Sequence, residues 1–331
     1  MKKTLIAVAA LSAMAASAMA ANVTLYGKID QGFQVQSKKV DGEDRATTWQ
    51  GVSGISSGSR WGLKGTEQLA DGYTVGFVLE SGFDGMNGSG NNAFNRDAFL
   101  TLNTPFGMLT VGRTGKLSDG NTGDIIAGQA SPFGTSYKLA ASTNTTFVGF
   151  NNDRTDRALR YVSPKFAGVQ VHAEYANMNA GTTASTKQRY GGIGVSYANG
   201  PFYAAVTAET IRQAASVTTK DPQAYALAVN YDFGVAKVFG GYQYAKDNTW
   251  GGDDSNAGTL GVSAPVAGGT LMASVAYAKG DNDHKITTGA IGYKYSLSKR
   301  TYVYTDLAYA EEKDGDKTKT TQFNLGICHN F

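Results

Sequence analysis

From residue 22 onward, apolar and polar side chains alternate one for one in stretches of about ten residues. In NVTLYGKIDQGFQVQ, 22–36, Val23, Leu25, Gly27 and Ile29 share one parity, while Thr24, Tyr26, Lys28 and Asp30 share the other. A strand sends successive side chains to opposite faces, so this pattern predicts a strand with one apolar and one polar face. A second stretch, 58–69, sets Trp61 and Leu63 against Arg60, Lys64 and Thr66. The same reading predicts strands over 73–83, 93–103, 107–113, 156–163, 168–178, 188–198, 201–210 and 222–232. Further strands are predicted over 235–245, 255–264, 269–279, 284–296, 300–311 and 319–331, which brings the total to sixteen. The chain finishes inside the last of these. Phe323, Leu325, Ile327, His329 and the terminal Phe331 share a mostly apolar parity, and Asn324, Gly326, Cys328 and Asn330 a small or polar one.

The connections alternate as well. Those after even-numbered predicted strands are short, such as 70–72, 104–106, 164–167, 199–200 and 233–234. Those after odd-numbered ones are longer and polar: 37–57, 85–92, 114–155, 179–187, 211–221 and 246–254. Short turns at one end and long loops at the other, with an even number of antiparallel strands, are the marks of a barrel crossing a bacterial outer membrane. An antiparallel soluble sandwich does not predict that asymmetry. The fold expected is therefore all-β, a 16-stranded antiparallel transmembrane β-barrel, too wide for side chains to fill its interior. Its last strand would pair with its first, and Phe331 would complete that closure.

The rest of the chain fits this picture. Residues 1–20, MKKTLIAVAALSAMAASAMA, have two lysines, a short apolar run and the small-x-small ending Ala18-Met19-Ala20, as in a cleaved secretory signal peptide. The barrel domain would then be 21–331. No apolar run of about 18 residues follows, so no spanning helix is expected. Counts of 42 Gly, 18 Tyr and 15 Phe suit turns, close strand contacts and interfacial aromatics. The one cysteine, Cys328, excludes an intrachain disulfide. Formal charge is +3, and removal of Lys2 and Lys3 lowers it further, so charge gives no case for nucleic acid.

Several stretches carry a family resemblance. NVTLYGKIDQG (22–32), SRWGLKGTEQLADGYTVGFVLESGF (59–83), FNRDAFLTLNTPFGMLTVGR (94–113), LRYVSPKFAGVQVHAEY (159–175) and LGICHNF (325–331) together resemble the general-diffusion porins of Gram-negative outer membranes, β-proteobacterial type. The resemblance spans 21–331. It implies a homotrimer embedded in outer-membrane lipid, passing small hydrophilic solutes and ions by passive diffusion, with no cofactor and no bound metal. It also implies that the long third loop, 114–155, folds into the barrel and narrows it. Ile125, Ile126, Phe133, Leu139, Phe147 and Phe150 could anchor that loop on the inner wall.

In such a channel the site is an electrostatic filter. Carried over from the family, its basic wall would be Arg60, Arg96 and Arg160, with Lys28 and Lys64 inward by parity. The facing acids would be Asp119 and Asp124 of the third loop. Arg96 shares parity with Leu100 and Leu102, which turns Asp97 outward unless a bulge intervenes. An excess of wall arginines favours anions, while Asp30, Glu67, Glu80, Glu174 and Glu209 work against that preference. The alternative within the same fold is a substrate-specific channel, which needs an aromatic track; Trp49, Trp61 and Trp250 lie far apart. An enzyme needs a nucleophile with a positioned base. His172, His284 and His329 sit in no such motif and no metal-ligand spacing, so catalysis is not expected.

Overall fold

The computed structural model describes residues 22–90, 93–118, 121–147, 154–177, 188–212, 220–247 and 254–331. The expected signal peptide, Asp119, Phe150 and Trp250 lie outside these residues. The strands are β1 (Asn22–Val40), β2 (Ala46–Ser53), β3 (Arg60–Ala70), β4 (Tyr73–Gly82), β5 (Ala98–Thr104), β6 (Gly107–Gly115), β7 (Arg154–Val162) and β8 (Val169–Asn177). They continue as β9 (Arg189–Asn199), β10 (Phe202–Arg212), β11 (Gln223–Asp232), β12 (Lys237–Lys246), β13 (Ser255–Val266) and β14 (Gly269–Gly280). The last are β15 (Lys285–Ser296), β16 (Thr301–Asp314) and β17 (Asp316–Asn330).

Apart from β2 and β3, neighbours in sequence pair antiparallel, and β17 returns to β1, so the sheet closes on itself. The wall nevertheless has sixteen places. The outer half of β1 pairs with β2 (Gln31↔Ser53 to Lys38↔Ala46), and its inner half pairs with β3 (Asn22↔Thr66 to Lys28↔Arg60). One place is thus filled by two short strands with residues 54–59 looped out between them. The sequence pattern hid β2 inside the first long connection. Its side chains, from Ala46 to Gly51, are exposed on both faces, so no apolar alternation marks it. The fifth strand starts at Ala98 rather than 93, because Phe94 takes a left-handed conformation (φ 55°) that breaks the extended run.

The two faces of the wall differ as the alternation requires. Large apolar side chains such as Leu25, Phe33, Ile193, Leu260 and Val275 are exposed on the outer face. Facing inward on β10 to β16 are mainly small residues, among them Ala205, Ala226, Ala228, Ala257, Ala278 and Ala308, all buried. What buries them is the third loop. Ile125, Ile126, Ala130 and Phe147 pack on Ala205, Ala226, Ala228, Ala257 and Ala278, while Phe133, Tyr137 and Ala140 pack near Met272, Tyr304 and Ala308. Glycines complete the seat: a Cβ at Gly241 would stand 2.6 Å from the Cβ of Ala130, and one at Gly292 would stand 2.7 Å from Phe133. Polar links add direction. The Tyr203 hydroxyl donates to the Ile125 carbonyl at 2.9 Å, and the Asn230 amide donates to the Gln129 carbonyl at 3.0 Å. Burying Ile126, Phe133 and Phe147 stabilises the loop by roughly 1.5–3 kcal/mol each, which offsets the entropy of ordering it.

The terminal residue closes the wall. Phe331 N–H donates to the Gly27 carbonyl and Gly27 N–H donates to the Phe331 carbonyl, both at 3.0 Å. The Phe331 ring lies where a side chain on Gly27 would stand. Deleting Phe331 removes both bonds and uncovers the Gly27 backbone. Refolding followed by gel mobility should then give a markedly lower yield of the compact, unheated form than the full chain. Gly27→Val should have the same effect by displacing the ring.

Candidate functional site

The site grows from one carboxylate. Glu80 sits near the end of β4 opposite Gly62, a glycine that leaves room beside it. Its two oxygens are shared among three donors. Arg60 Nε lies 3.2 Å from Oε2, Arg96 Nε lies 2.5 Å from Oε1, and the Tyr26 hydroxyl donates to Oε2 at 3.2 Å. Charge-assisted hydrogen bonds to one shared carboxylate restrain guanidinium groups that in free solution would rotate.

Arg96 reaches Glu80 through a bulge. Arg96 N–H donates to the Glu80 carbonyl at 3.1 Å, and Glu80 N–H donates to the Asp97 carbonyl at 2.7 Å. Two residues therefore oppose one, and strict alternation fails here. Simple parity turned Asp97 outward; it is in fact buried on the inner side. There it accepts from Arg154 Nε at 2.7 Å and from the Thr122 hydroxyl of the third loop. Arg60, Glu80, Arg96 and Arg154, with Ser57 and Thr135, line a polar recess of about 460 Å³ between the wall and the third loop.

The other expected residues are placed differently. Arg160 is inward on β7 but 4% exposed. It pairs with Glu174 across the ladder to β8, and its guanidinium donates to the carbonyls of Gly115 and Thr122, the latter at 2.9 Å. It is a tether beneath the third loop, not a group on the water path. Lys28 donates to the Ser57 hydroxyl at 3.1 Å, and Lys64 lies over the Tyr26 ring at 5.1 Å, exposed on the inner face. Asp124 is turned onto its own loop: its carboxylate accepts from the N–H groups of Ile126, Ala127 and Gly128 at 2.7–2.9 Å. Among the described residues, the acids that pair with arginines are Glu80, Asp97, Glu174 and Asp156, the last with Arg113, and none of them lies in the third loop.

Arg154 escaped the sequence reading because it fell inside the long third connection, expected to run to residue 155. Alternation from Arg160 does not carry through to it either, because a bulge at Arg157 (φ 53°) shifts the register between Ala158 and Thr155 and turns Thr155 inward. Around the recess three guanidinium groups, of Arg60, Arg96 and Arg154, face two carboxylates, of Glu80 and Asp97. The balance is cationic, in a gap lined by fixed charges and open to water. Such a filter can sort ions by sign; nothing in it performs covalent chemistry.

The two kinds of arginine should respond differently to removal. Arg160→Met removes the guanidinium that neutralises the buried carboxylate of Glu174, which costs about 3–5 kcal/mol and should lower the thermal midpoint of the folded barrel. Arg96→Gln should leave that midpoint nearly unchanged. Thermal unfolding of both variants in detergent, followed by circular dichroism, checks this.

Comparison with known proteins gives the same picture. Residues 7–315 match the family model described as Gram-negative porin. An outer membrane porin protein of Delftia acidovorans, named porin protein 32, is 36% identical over 95% of this chain and 91% of its own length. An outer membrane porin protein of Bordetella pertussis is 30% identical over the full length of both chains. Among solved structures, an anion-selective porin from Comamonas acidovorans superposes with a TM-score of 0.74 at 28% identity, covering 94% of this chain and all of its own.

Proposed function

Since this chain belongs to the Gram-negative porin family and is an outer-membrane diffusion channel rather than an enzyme, we propose that it favours anions and that Arg60, Arg96 and Arg154 form its selective throat. The observation that carries the proposal is the recess in which these three guanidinium groups outnumber Glu80 and Asp97. The anion-selective relative from Comamonas supports the same sign. Solute enters through the open end, passes between the third loop and the wall of β3 to β7, and leaves without binding tightly. An anion about 4 Å from one guanidinium in water gains about 1 kcal/mol, enough to bias entry and too little to trap it. Glu80 and Asp97 keep the arginines aimed and moderate their charge.

In this reading residues 1–20 direct export and are then cleaved, and three copies assemble in the membrane. Trp49 is exposed on β2 and Trp61 points outward, so neither contributes to an aromatic sugar track.

Reversal potential in a planar bilayer under a salt gradient tests the throat. The wild type should show the anion sign. Arg60→Gln, Arg96→Gln and Arg154→Gln combined should bring the potential close to zero or past it, whereas Glu80→Gln should make it more anion-selective. A cation-selective wild type would overturn the charge assignment. Conductance closing in three equal steps is the expected mark of the trimer; single independent closures would overturn it.

A further inference from the structure

The segment looped out between β2 and β3 reads Gly54-Ile55-Ser56-Ser57-Gly58-Ser59. Two glycines and three serines favour no single conformation, so such a loop keeps one shape only where outside groups answer its backbone. One residue answers most of it. Asp30 of β1 is fully buried. Its carbonyl accepts from Gly54 N–H at 2.9 Å and from the Ser59 hydroxyl at 3.1 Å, and its N–H donates to Ser59 Oγ at 3.0 Å. Its carboxylate accepts from Ser57 N–H at 2.6 Å and, on the other oxygen, from the Tyr304 hydroxyl at 2.5 Å. Both ends and the middle of the segment hang on Asp30, and Tyr304 ties Asp30 to β16, two strands away.

Held in this way, the segment reaches both sides of the gap. Toward the third loop, the Ile55 carbonyl accepts from Tyr137 N–H at 2.6 Å, and the Ile55 side chain is buried in the cluster of Phe133, Tyr137 and Tyr304. Toward the arginine wall, the Gly58 carbonyl accepts from Arg60 Nη1 at 3.2 Å, while Arg60 Nε lies against Glu80. Ser57 and Gly58 line the recess of Arg60, Arg96 and Arg154. Gly58 and Arg96 also border a second polar recess, of about 300 Å³, so the tip of the segment stands between the two. Even a Cβ on Gly58 would stand 3.4 Å from Arg96 Nη1, so this glycine leaves that guanidinium its room.

We infer that residues 54–59 form a second jaw of the selective throat, beside the third loop, and that Asp30 is the positioning residue that holds it. The inference rests on the arginine throat proposed above and names what aims it. With the jaw in place, Arg60 is stretched between the Glu80 carboxylate and the Gly58 carbonyl. Without it, Arg60 turns wholly to Glu80 and offers less of its charge to the water path. Asp30 touches no solute. Burying a carboxylate among hydroxyl and amide donors is costly compared with apolar packing, and what the network supplies is a single arrangement of the jaw.

The test is the reversal potential under a potassium chloride gradient for the wild type, Asp30→Ala and Asp30→Asn, each shown to be folded by gel mobility. Charge acting through space would make both variants more anion-selective, because each removes a negative charge from the wall. The jaw predicts the opposite sign for alanine. Asp30→Ala should lower the anion-to-cation permeability ratio about 3-fold, part of the roughly 5-fold that one guanidinium contributes in water. Asp30→Asn keeps an oxygen for Ser57 N–H and should retain the wild-type ratio. Gly54→Val carries the test if Asp30→Ala does not fold. Gly54 has φ 71°, and a Cβ there would stand 2.9 Å from Gly58 Cα, so valine displaces the jaw with Asp30 intact and should lower the ratio likewise. A ratio that rises in both Asp30 variants would overturn the jaw. So would an unchanged ratio in folded Asp30→Ala or Gly54→Val, even with a lowered thermal midpoint, since that is the mark of a merely structural role. A cation-selective wild type would instead overturn the arginine throat on which the jaw rests.

Discussion

Hydrocarbon offers a peptide group nothing to bond to, and that constraint organises the whole molecule. Every N–H and C=O of a strand that crosses the membrane must be answered by a neighbouring strand, so the sheet has to close. The pairing of β17 with β1 along Lys28↔Asn330 to Val40↔Thr318, completed by Gly27 and Phe331, is where this requirement is met last. Closure leaves two faces with opposite needs. The outer one must be apolar, and Leu25, Ile193 and Val275 supply that; the inner one is released from hydrophobic duty and can be small, polar or charged.

The inner face uses that freedom in two ways around the ring. On β10 to β16 it is lined with alanines and glycines, which makes a shallow apolar seat for Ile125, Ile126, Phe133 and Phe147 of the third loop. On β3 to β7 it carries the charged network of Arg60, Glu80, Arg96, Asp97 and Arg154. Seating the loop on one side leaves the charged side facing water. Packing and selectivity are therefore linked: the residues that hold the loop away from the arginines decide that a gap exists, and the arginines decide what the gap prefers. Arg160 joins the two functions by pairing with Glu174 in the wall while bonding the Thr122 carbonyl in the loop.

Most of the barrel could be read from alternation, because a strand between lipid and water must alternate and its period is fixed at two. The closing role of Phe331 followed from the same parity. What alternation could not show were the places where the wall departs from it. β2 has water on both sides and hence no apolar face to betray it. The bulge at Arg96 and Asp97 inserts one residue into the ladder and reverses the orientation assigned to Asp97. Asp124 was expected to oppose the wall arginines, but a carboxylate at the start of a tight turn has three backbone N–H groups within reach and answers those first. Arg160 was placed on the correct face, yet facing inward is not the same as facing water, since the loop that covers it is distant in sequence.

The central claim is that the third loop sits inside the barrel and bounds an anion path against the arginine wall. Thiol modification of Ser136→Cys during bilayer recording tests it most directly, because Ser136 lines the recess and the native Cys328 is fully buried and should stay silent. The account predicts that a negatively charged methanethiosulfonate reagent reduces the current of the variant, faster than a positively charged one of similar size, and leaves the wild type unchanged. A variant that conducts normally and keeps its full current with either reagent would contradict it.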